Sequence, residues 1–366
     1  MELHGRIRIL YILAIKVLSI NLEPMLLTSN NSENNATYTE LNLIIQPAFQ
    51  YLQALDSFMD EQAEAFEVEI QELVQYCLNN SGKRLRPVLV FFSGRTLDGH
   101  IAKDLVKAAA VIEFVHMATL VHDDVLDKAK IRRSESTASK KFGSSVAILL
   151  GDALFSQALS LAAEFTVIDV CRLVSEATRR ICAGEIKQTF QQGNPEISIE
   201  DYLRIIDLKT AELFSVSCTL GAKLSAYDDD FVGAAGRFGR HLGAAYQIYD
   251  DLVDFIGSEE SIGKTLGTDI NNRKYTLPII LLLERAKGKE RDIILNEIQN
   301  ADSVDINSIN LYMAKNGVFE IVENYFRGEI QAAEKALNGY LGKPPIKHLM
   351  ELSSYLDNQI NKLLVY

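Results

Sequence analysis

Two acidic motifs of the same pattern lie far apart in the sequence, at residues 123–127 (DDVLD) and 250–254 (DDLVD), each within an otherwise apolar stretch. On a helix, residues i and i+4 share a face, so each motif would direct two carboxylates to one side with a third beside them. Such a cluster of like charges is unfavourable unless cations occupy it. Aspartate oxygens suit Mg²⁺, which keeps several waters and shares its remaining positions with phosphate groups. The motifs therefore predict magnesium ions that bridge to one diphosphate, and two solvated acidic helix faces are the alternative.

Two compact basic segments accompany the motifs. Residues 82–87 (GKRLRP) lie where a loop is expected to become a helix, so their cations and free backbone N–H groups could hold an anion. Arg132 and Arg133 follow the first acidic motif by about one turn. The formal charge of −12 argues against a nucleic-acid-binding surface, so a phosphate ligand must be bound by a local basic cluster or by metal. The two segments suggest a second diphosphate that is held directly, although surface salt bridging would explain either segment alone.

The elements that must position these residues are helices. From about residue 42 onward, apolar residues recur at spacings of three and four, and few segments alternate as strands do. Turn signals divide the chain into about ten helices, without a linker between residues 50 and 360. The pattern predicts one all-α domain built as a helical bundle. The four cysteines lack CxxC spacing, which favours a reducing, cytoplasmic compartment and no structural zinc.

The N-terminal residues differ in composition from the rest. Residues 9–27 are largely apolar, but Lys16 and Glu23 interrupt them and there is no obvious cleavage site, which argues against a membrane span. Residues 28–39 are rich in Asn and Ser and have the composition of a flexible linker. We expect residues 1–40 to lie outside the fold as a flexible or mis-started extension, with Met25 as the candidate true start, and residues 41–366 to be the functional domain. A weak signal peptide is the alternative.

Five motifs together resemble the trans-isoprenyl diphosphate synthase, or polyprenyl synthetase, family. They are residues 82–87, the two aspartate motifs, Lys209-Thr210, and residues 263–269 (GKTLGTD), in the order and spacing of that family. The resemblance covers approximately residues 50–355 and points to a medium- or long-chain member. It implies an all-α bundle with a deep central cavity, a homodimer, and a prenyltransferase that condenses isopentenyl diphosphate with an allylic prenyl diphosphate.

The resemblance also assigns roles to individual residues. Three Mg²⁺ ions are expected, and their predicted ligands or supporting residues are Asp123, Asp124, Asp127, Asp250, Asp251 and Asp254. The allylic diphosphate would be held by Arg132, Lys209 and Lys264, with Thr210 and Gln247 beside it, and isopentenyl diphosphate by Lys83, Arg86, His116 and Arg133. Among these residues, the group expected to act directly in catalysis is Asp123, Asp124, Asp127, Lys209, Asp250 and Lys264.

Product length should depend on the residues that precede the first aspartate motif. Thr119, Ala118 and Val115 lie four, five and eight residues upstream of Asp123. Short-chain members of the family place aromatic side chains at the first two of these positions, whereas both are small here. The resemblance therefore implies a linear all-trans product of about twenty to forty carbons, which could partition into a membrane. A terpene cyclase and a non-catalytic subunit are the alternatives; the first needs no isopentenyl site, and the second tends to lose one aspartate motif.

Overall fold

The computed structural model describes residues 40–79, 82–96, 102–133, 135–166, 169–257, 266–300 and 304–364. The chain divides into two units between Glu40 and Leu41, and the following description concerns the second, Leu41–Tyr366. The extension expected for residues 1–40 lies, except for Glu40, outside the described residues. Its boundary and its flexibility therefore remain predictions.

Helices make up nearly all of the described structure. In the first half they are α1 (Phe49–Glu64), α2 (Val68–Asn79), α3 (Leu85–Ser93), α4 (Lys103–Leu126), α5 (Ala138–Phe142), α6 (Ser144–Ala163) and α7 (Asp169–Gln191). In the second half they are α8 (Ile199–Ile206), α9 (Glu212–Leu224), α10 (Asp229–Ile256), α11 (Thr268–Asn271), α12 (Leu277–Arg285), α13 (Lys289–Asn300), α14 (Ile306–Lys315), α15 (Val318–Leu337) and α16 (Pro344–Leu364). Short 3₁₀ turns occupy Gln46–Ala48 and Asn338–Tyr340.

Three departures from regular helix bear on the candidate site. The π-helical turn Asp207–Ala211 joins α8 to α9. Two-residue strands, β1 (Ile131–Arg132) and β2 (Glu135–Ser136), pair antiparallel after α4, with Ile131 opposite Ser136. Arg84, the N-cap of α3, has a left-handed φ of 51°. The periodicity of apolar residues predicted none of these features.

Helix α4 is the centre of the bundle and packs against α1, α3, α6 and α9. It is apolar on nearly every side, and 72% of its most apolar stretch is buried, as expected of a core helix. By length and composition alone, α4 and α6 are the described helices that could span a membrane, and a buried core helix meets the same criteria. Helix α10 packs against α9 and α15, so the helices that carry the two aspartate motifs belong to one helical core.

Side-chain caps fix several helix starts. Ser198 accepts a hydrogen bond from the backbone N–H of Asp201 at the start of α8, and Asp228 accepts one from Phe231 at the start of α10. Thr137 likewise accepts one from Lys140 at the start of α5. Such caps satisfy backbone donors that have no partner within the helix. They fix where α8 and α10 begin, and therefore which side chains of these helices face the core.

Candidate active site

The first aspartate motif lies at the C-terminal end of α4, where Asp127 is the residue that follows the helix. Asp124 is almost fully buried and accepts hydrogen bonds from Arg132, at 2.9 Å from Nε and 2.7 Å from a terminal guanidinium nitrogen. Burial raises the pKa of Asp124, and Arg132 partly offsets this. Burial also lowers the pKa of Arg132, but the hydrogen bond to Asp124 and the charges of the three aspartates of the motif together raise it above its usual value. The hairpin formed by β1 and β2 therefore returns Arg132 to the motif.

The other two carboxylates of the first motif also have basic partners. The Nζ atom of Lys209 lies 3.5 Å from an oxygen of Asp123, and that of Lys274 lies 2.5 Å from an oxygen of Asp127. Lys274 was not among the predicted site residues. Each aspartate of the motif is thus paired with a different cation, which relieves the repulsion within the cluster. The same cations are close enough to contact a phosphate group that binds at the motif.

Lys209 projects from the π turn into a group of acceptors. Its ammonium contacts Glu185, and it donates a hydrogen bond of 3.0 Å to Gln188 on the same helix, α7. Burial lowers the pKa of Lys209, but the charges of Asp123 and Glu185 outweigh burial and the net shift is upward. Lys209 is therefore a cation under all ordinary conditions. The sequence pattern did not identify Glu185 or Gln188, since neither belongs to a motif.

The second aspartate motif is held by a chain of hydrogen bonds. Asp251 accepts 2.7 Å bonds from the hydroxyl of Tyr202 at one carboxylate oxygen and from the amide of Gln247 at the other. Gln247 in turn accepts a 2.7 Å bond from Thr210 of the π turn. Burial raises the pKa of Asp251 well above its usual range. Asp251 therefore links the predicted Thr210 and Gln247 to the second motif, and Tyr202 is an additional member that the motifs did not indicate.

The third aspartate of that motif, Asp254, orders the segment that follows it. Asp254 is fully buried and accepts a 3.1 Å hydrogen bond from the backbone N–H of Asp269. Its carbonyl oxygen also accepts a 2.8 Å bond from Gly267. Asp254 thus supports the chain around residues 267–269. Lys264, a predicted ligand of the allylic diphosphate, lies outside the described residues.

The two arginines of the basic segment at the start of α3 contact different partners. Arg84 turns to Glu113 on α4, at 2.8 Å, and to Asp56 on α1, at 3.2 Å. Arg86 instead lies 3.1 Å from Nε2 of His116, which is also on α4. Burial, followed by the charge of Arg86, lowers the pKa of His116 well below its usual range, so the neutral ring accepts the hydrogen bond from Arg86.

The second basic segment meets the first at Gly82. A Cβ atom at this position would collide with the guanidinium of Arg133, so the glycine lets this guanidinium lie directly against the loop. Burial lowers the pKa of Lys83, and the nearby charge of Asp250 partly offsets this. The structure therefore brings Arg86 next to His116 and Arg133 next to the loop that carries Lys83, and Lys83 lies within electrostatic range of Asp250. A cavity of about 60 Å³ adjoins this group and is lined in part by His116, Arg132 and Arg133.

The residues predicted to control product length differ in burial. Val115 and Ala118 are 1% and 0% exposed, while Thr119 is half-buried and donates a 2.7 Å hydrogen bond to the carbonyl of His116. The first two side chains are therefore part of the packed core. A growing hydrocarbon tail that passes along this face would enter beside Thr119 and displace the packing around Ala118.

The chemistry of the donor set fits Mg²⁺. Hard carboxylate oxygens from two helices surround the site, with cations arranged around them. Among the described residues, no three His, Cys, Asp or Glu side chains are grouped closely enough to form a metal centre from protein ligands alone. Mg²⁺ is commonly bound by one or two carboxylates together with substrate phosphates rather than by a complete protein cage. The arrangement matches that mode.

The model of the family described as polyprenyl synthetase matches residues 67–313 of this chain. The chain belongs to the polyprenyl synthetase family. It is 32% identical to heptaprenyl diphosphate synthase component 2 of Bacillus subtilis (strain 168) over 311 residues, which covers 78% of this chain and 89% of that relative. It is 33% identical to octaprenyl diphosphate synthase of Escherichia coli (strain K12) over 233 residues, which covers 64% of this chain and 72% of the relative.

Solved structures agree with the family assignment. A decaprenyl diphosphate synthase from Rhodobacter capsulatus superposes with a TM-score of 0.80 at 31% identity, covering 87% of this chain and 99% of the other. A polyprenyl synthase from Caulobacter crescentus CB15, complexed with calcium and isoprenyl diphosphate, also has a TM-score of 0.80, at 28% identity, covering 86% of this chain and 96% of the other. These matches confirm the predicted family, the all-α fold and the assignment of this polyprenyl synthetase as a prenyltransferase.

Proposed function

We propose that this chain is a Mg²⁺-dependent synthase that condenses isopentenyl diphosphate with an allylic prenyl diphosphate to give a linear all-trans polyprenyl diphosphate. The observation that carries the proposal is that the π turn reaches both aspartate motifs while a second set of cations lies apart from it. Lys209 contacts Asp123, and Thr210 is linked through Gln247 to Asp251. Arg86 of the second set lies beside His116. A single diphosphate site would need only one such set. Two sets allow the donor and the acceptor diphosphate to be bound side by side.

We assign the metal ions to Asp123, Asp124, Asp127 and Asp250, with Asp251 and Asp254 as supporting residues and three Mg²⁺ ions as the expected number. Bound Mg²⁺ would supply charge stabilisation on the diphosphate oxygens. Lys209 and Arg132 would bind the allylic diphosphate and stabilise the negative charge that develops as it leaves, together with Lys264. The side chains of Thr210 and Gln247 would orient this group through their hydrogen bond.

The second substrate would be bound by Lys83, Arg86, His116 and Arg133. These residues hold its diphosphate, so that its double bond faces the allylic carbon and attacks as the carbon–oxygen bond breaks. Alignment and exclusion of water matter more for this step than a strong base. The proton then lost from the isopentenyl carbon would pass to the released diphosphate. No nucleophilic side chain is required for this step.

A product of about twenty to forty carbons is the length we propose. The small side chains of Ala118 and Thr119 favour elongation beyond fifteen carbons, because no aromatic ring blocks the path at these two positions. The curated relatives named above are component 2 of a heptaprenyl diphosphate synthase and an octaprenyl diphosphate synthase, which supports the upper part of this range. Such a hydrophobic product would partition into membranes after release.

A homodimer is the assembly we propose. Helices α6 and α7 pack together and present exposed apolar side chains, including Leu149 and Ile186, which are 67% and 55% exposed, and Phe190, which is 83% exposed. Exposed apolar side chains on two helices that pack together fit burial against a second copy, in which the same side chains would face each other. Light scattering should give twice the chain mass, and Phe190→Asp should shift the protein towards monomer.

Prenyl transfer tests the proposed function directly. Purified protein is incubated with labelled isopentenyl diphosphate, allylic primers of several lengths and Mg²⁺, and the dephosphorylated products are sized. We expect label in products longer than the primer, and none with Asp250→Asn. Cyclised hydrocarbons formed without incorporation of label would instead support a terpene cyclase. An inactive chain that becomes active only with a second protein would support a subunit of a heteromeric synthase.

A further inference from the structure

The π turn Asp207–Ala211 has two faces with different partners. One face presents Lys209 and Thr210 to the candidate site, as described above. The other faces a group of ion pairs that the proposed mechanism does not use. We propose that this group, the clamp formed by Arg180, Asp207, Glu212 and Arg240, fixes the π turn so that Lys209 and Thr210 bind the allylic diphosphate. The proposal rests on the proposed function and adds positioning residues to it.

The clamp holds both ends of the π turn. Glu212 accepts hydrogen bonds of 2.6 Å from Arg240 and 2.7 Å from Arg180 at the same oxygen. Arg240 also donates to Asp207, so one guanidinium bridges the first residue of the π turn and the first residue of α9. Arg204 adds a further bond of 2.9 Å to Asp207. Glu212 is 6% exposed, so these ion pairs are shielded on the carboxylate side.

Close packing on both sides restricts the same segment. A Cβ atom at Gly184 of α7 would lie 2.9 Å from the backbone nitrogen of Lys209. A Cβ atom at Gly243 of α10 would lie 2.8 Å from Cα of Ala211. Real Cβ atoms do not approach so closely, so the backbone of the π turn occupies a slot that only glycine leaves open. This observation is independent of the charges in the clamp.

The clamp and the site share their helices. Arg180 precedes Glu185 by five residues on α7, or about 7.5 Å along the axis. Arg240 precedes Gln247 by seven residues on α10, or about 10.5 Å. Glu185 contacts Lys209, and Gln247 accepts the hydrogen bond from Thr210. The clamp therefore joins α7, the π turn and α10, which together form this part of the site. Its arginines lie about one and a half to two turns of helix away from the residues that contact Lys209 and Thr210, so the clamp does not contact the diphosphate.

The register of the π turn explains why it needs to be fixed. A π turn contains one more residue than an α turn, and relaxation to α geometry would rotate the following side chains by about 100° around the axis. Such a rotation would move Lys209 away from Asp123 and Thr210 away from Gln247. Loss of the clamp should therefore weaken binding of the allylic diphosphate and leave binding of isopentenyl diphosphate unaffected, because the residues predicted for the latter lie in and before α3, on α4 and after β1.

The test compares Glu212→Gln and Arg240→Lys with a matched ion-pair control. Arg327 contacts Asp357 at 2.8 Å between α15 and α16, and its side chain is 32% exposed against 31% for Arg240. We expect Glu212→Gln to raise KM for the allylic diphosphate about tenfold and to change KM for isopentenyl diphosphate less than about twofold. Arg240→Lys should show a smaller change of the same kind. Arg327→Met should lower Tm and change neither KM.

Gly184→Ala provides a second route, because it disturbs the slot without removing a charge. It should also raise KM for the allylic diphosphate selectively, so a clamp variant that failed to fold would not remove the test. Equal changes in both KM values, or a loss of Tm alone as in Arg327→Met, would overturn the clamp. Wild-type protein that incorporates no labelled isopentenyl diphosphate would instead contradict the proposed function. Calorimetric titration of each variant with inorganic pyrophosphate and Mg²⁺ measures the same selective loss without turnover.

Discussion

The ion pair between Arg84 and Glu113 offers a quantitative test of how the basic loop is attached to α4. The two side chains are 10% and 5% exposed and lie 2.8 Å apart. Arg84 stands between Lys83 and Arg86, and Glu113 is three residues before His116. Replacing Glu113 by Gln keeps the shape of the side chain and removes its charge. The change would leave the Arg84 guanidinium buried with Asp56 as its charged partner.

The expected loss of stability follows from burial. Breaking a buried ion pair by removing one partner costs about 3–5 kcal/mol. The amide oxygen that Glu113→Gln introduces can still accept a hydrogen bond, which reduces our expectation to about 2–3 kcal/mol. Asp56 provides the matched control, because it contacts the same arginine at 3.2 Å but its side chain is 60% exposed. Asp56→Asn should therefore cost less than about 1 kcal/mol.

Urea unfolding measures both values, and all variants are compared at one fixed protein concentration so that any assembly of chains contributes equally to each measurement. A double-mutant cycle of Glu113→Gln with Arg84→Met should give a coupling energy of at least about 1.5 kcal/mol. KM for isopentenyl diphosphate should rise in Glu113→Gln, because the loop that carries Lys83 and Arg86 loses its attachment. Equal costs for Glu113→Gln and Asp56→Asn, or additivity in the cycle, would refute the reasoning.

Three further predictions concern product length, pH and metal. Ala118→Phe should shorten the main product by at least one isoprene unit, and an unchanged product would contradict the assigned path. Burial lowers the pKa of His116 in the folded protein. As the pH falls below the ordinary histidine pKa of about 6.5, the unfolded chain therefore binds a proton that the folded protein does not bind. The free energy of unfolding should then decrease below this pH. Relative to His116→Gln, the wild type should lose about 1.4 kcal/mol between pH 7.5 and pH 5.5 in chemical unfolding, and parallel curves would argue against the buried neutral ring. Removal of Mg²⁺ with EDTA should abolish high-affinity binding of inorganic pyrophosphate in calorimetry, and binding that survives would mean that the basic residues suffice.

The sequence predicted the helical bundle and the convergence of its motifs. It could do so because the spacing of apolar and charged residues determines which of them share one face of a helix. The charge pattern alone did not separate Arg84 from Lys83 and Arg86, although the family resemblance assigned only the latter two to a substrate. The pairing of Arg84, whose backbone is left-handed, with Glu113 has no signal in the motif. Glu185, Tyr202 and Lys274 were missed for another reason. They lie outside the acidic and basic motifs, and tertiary packing alone brings them to the site. The π turn likewise has no compositional signal, because its existence depends on neighbours from α7 and α10.

The left-handed backbone of Arg133, with φ of 51°, has a consequence for engineering. The left-handed conformation costs an L-amino acid about 1–2 kcal/mol but costs glycine, which has no Cβ atom, much less. Arg133→Gly would therefore relieve strain. The same change would delete a cation that we assign to isopentenyl diphosphate. A screen for heat-resistant variants that measures only Tm should therefore select glycine at position 133. The selected enzymes would bind isopentenyl diphosphate, their five-carbon substrate, poorly. A thermal screen of this enzyme should therefore measure the turnover of each selected variant as well as its Tm.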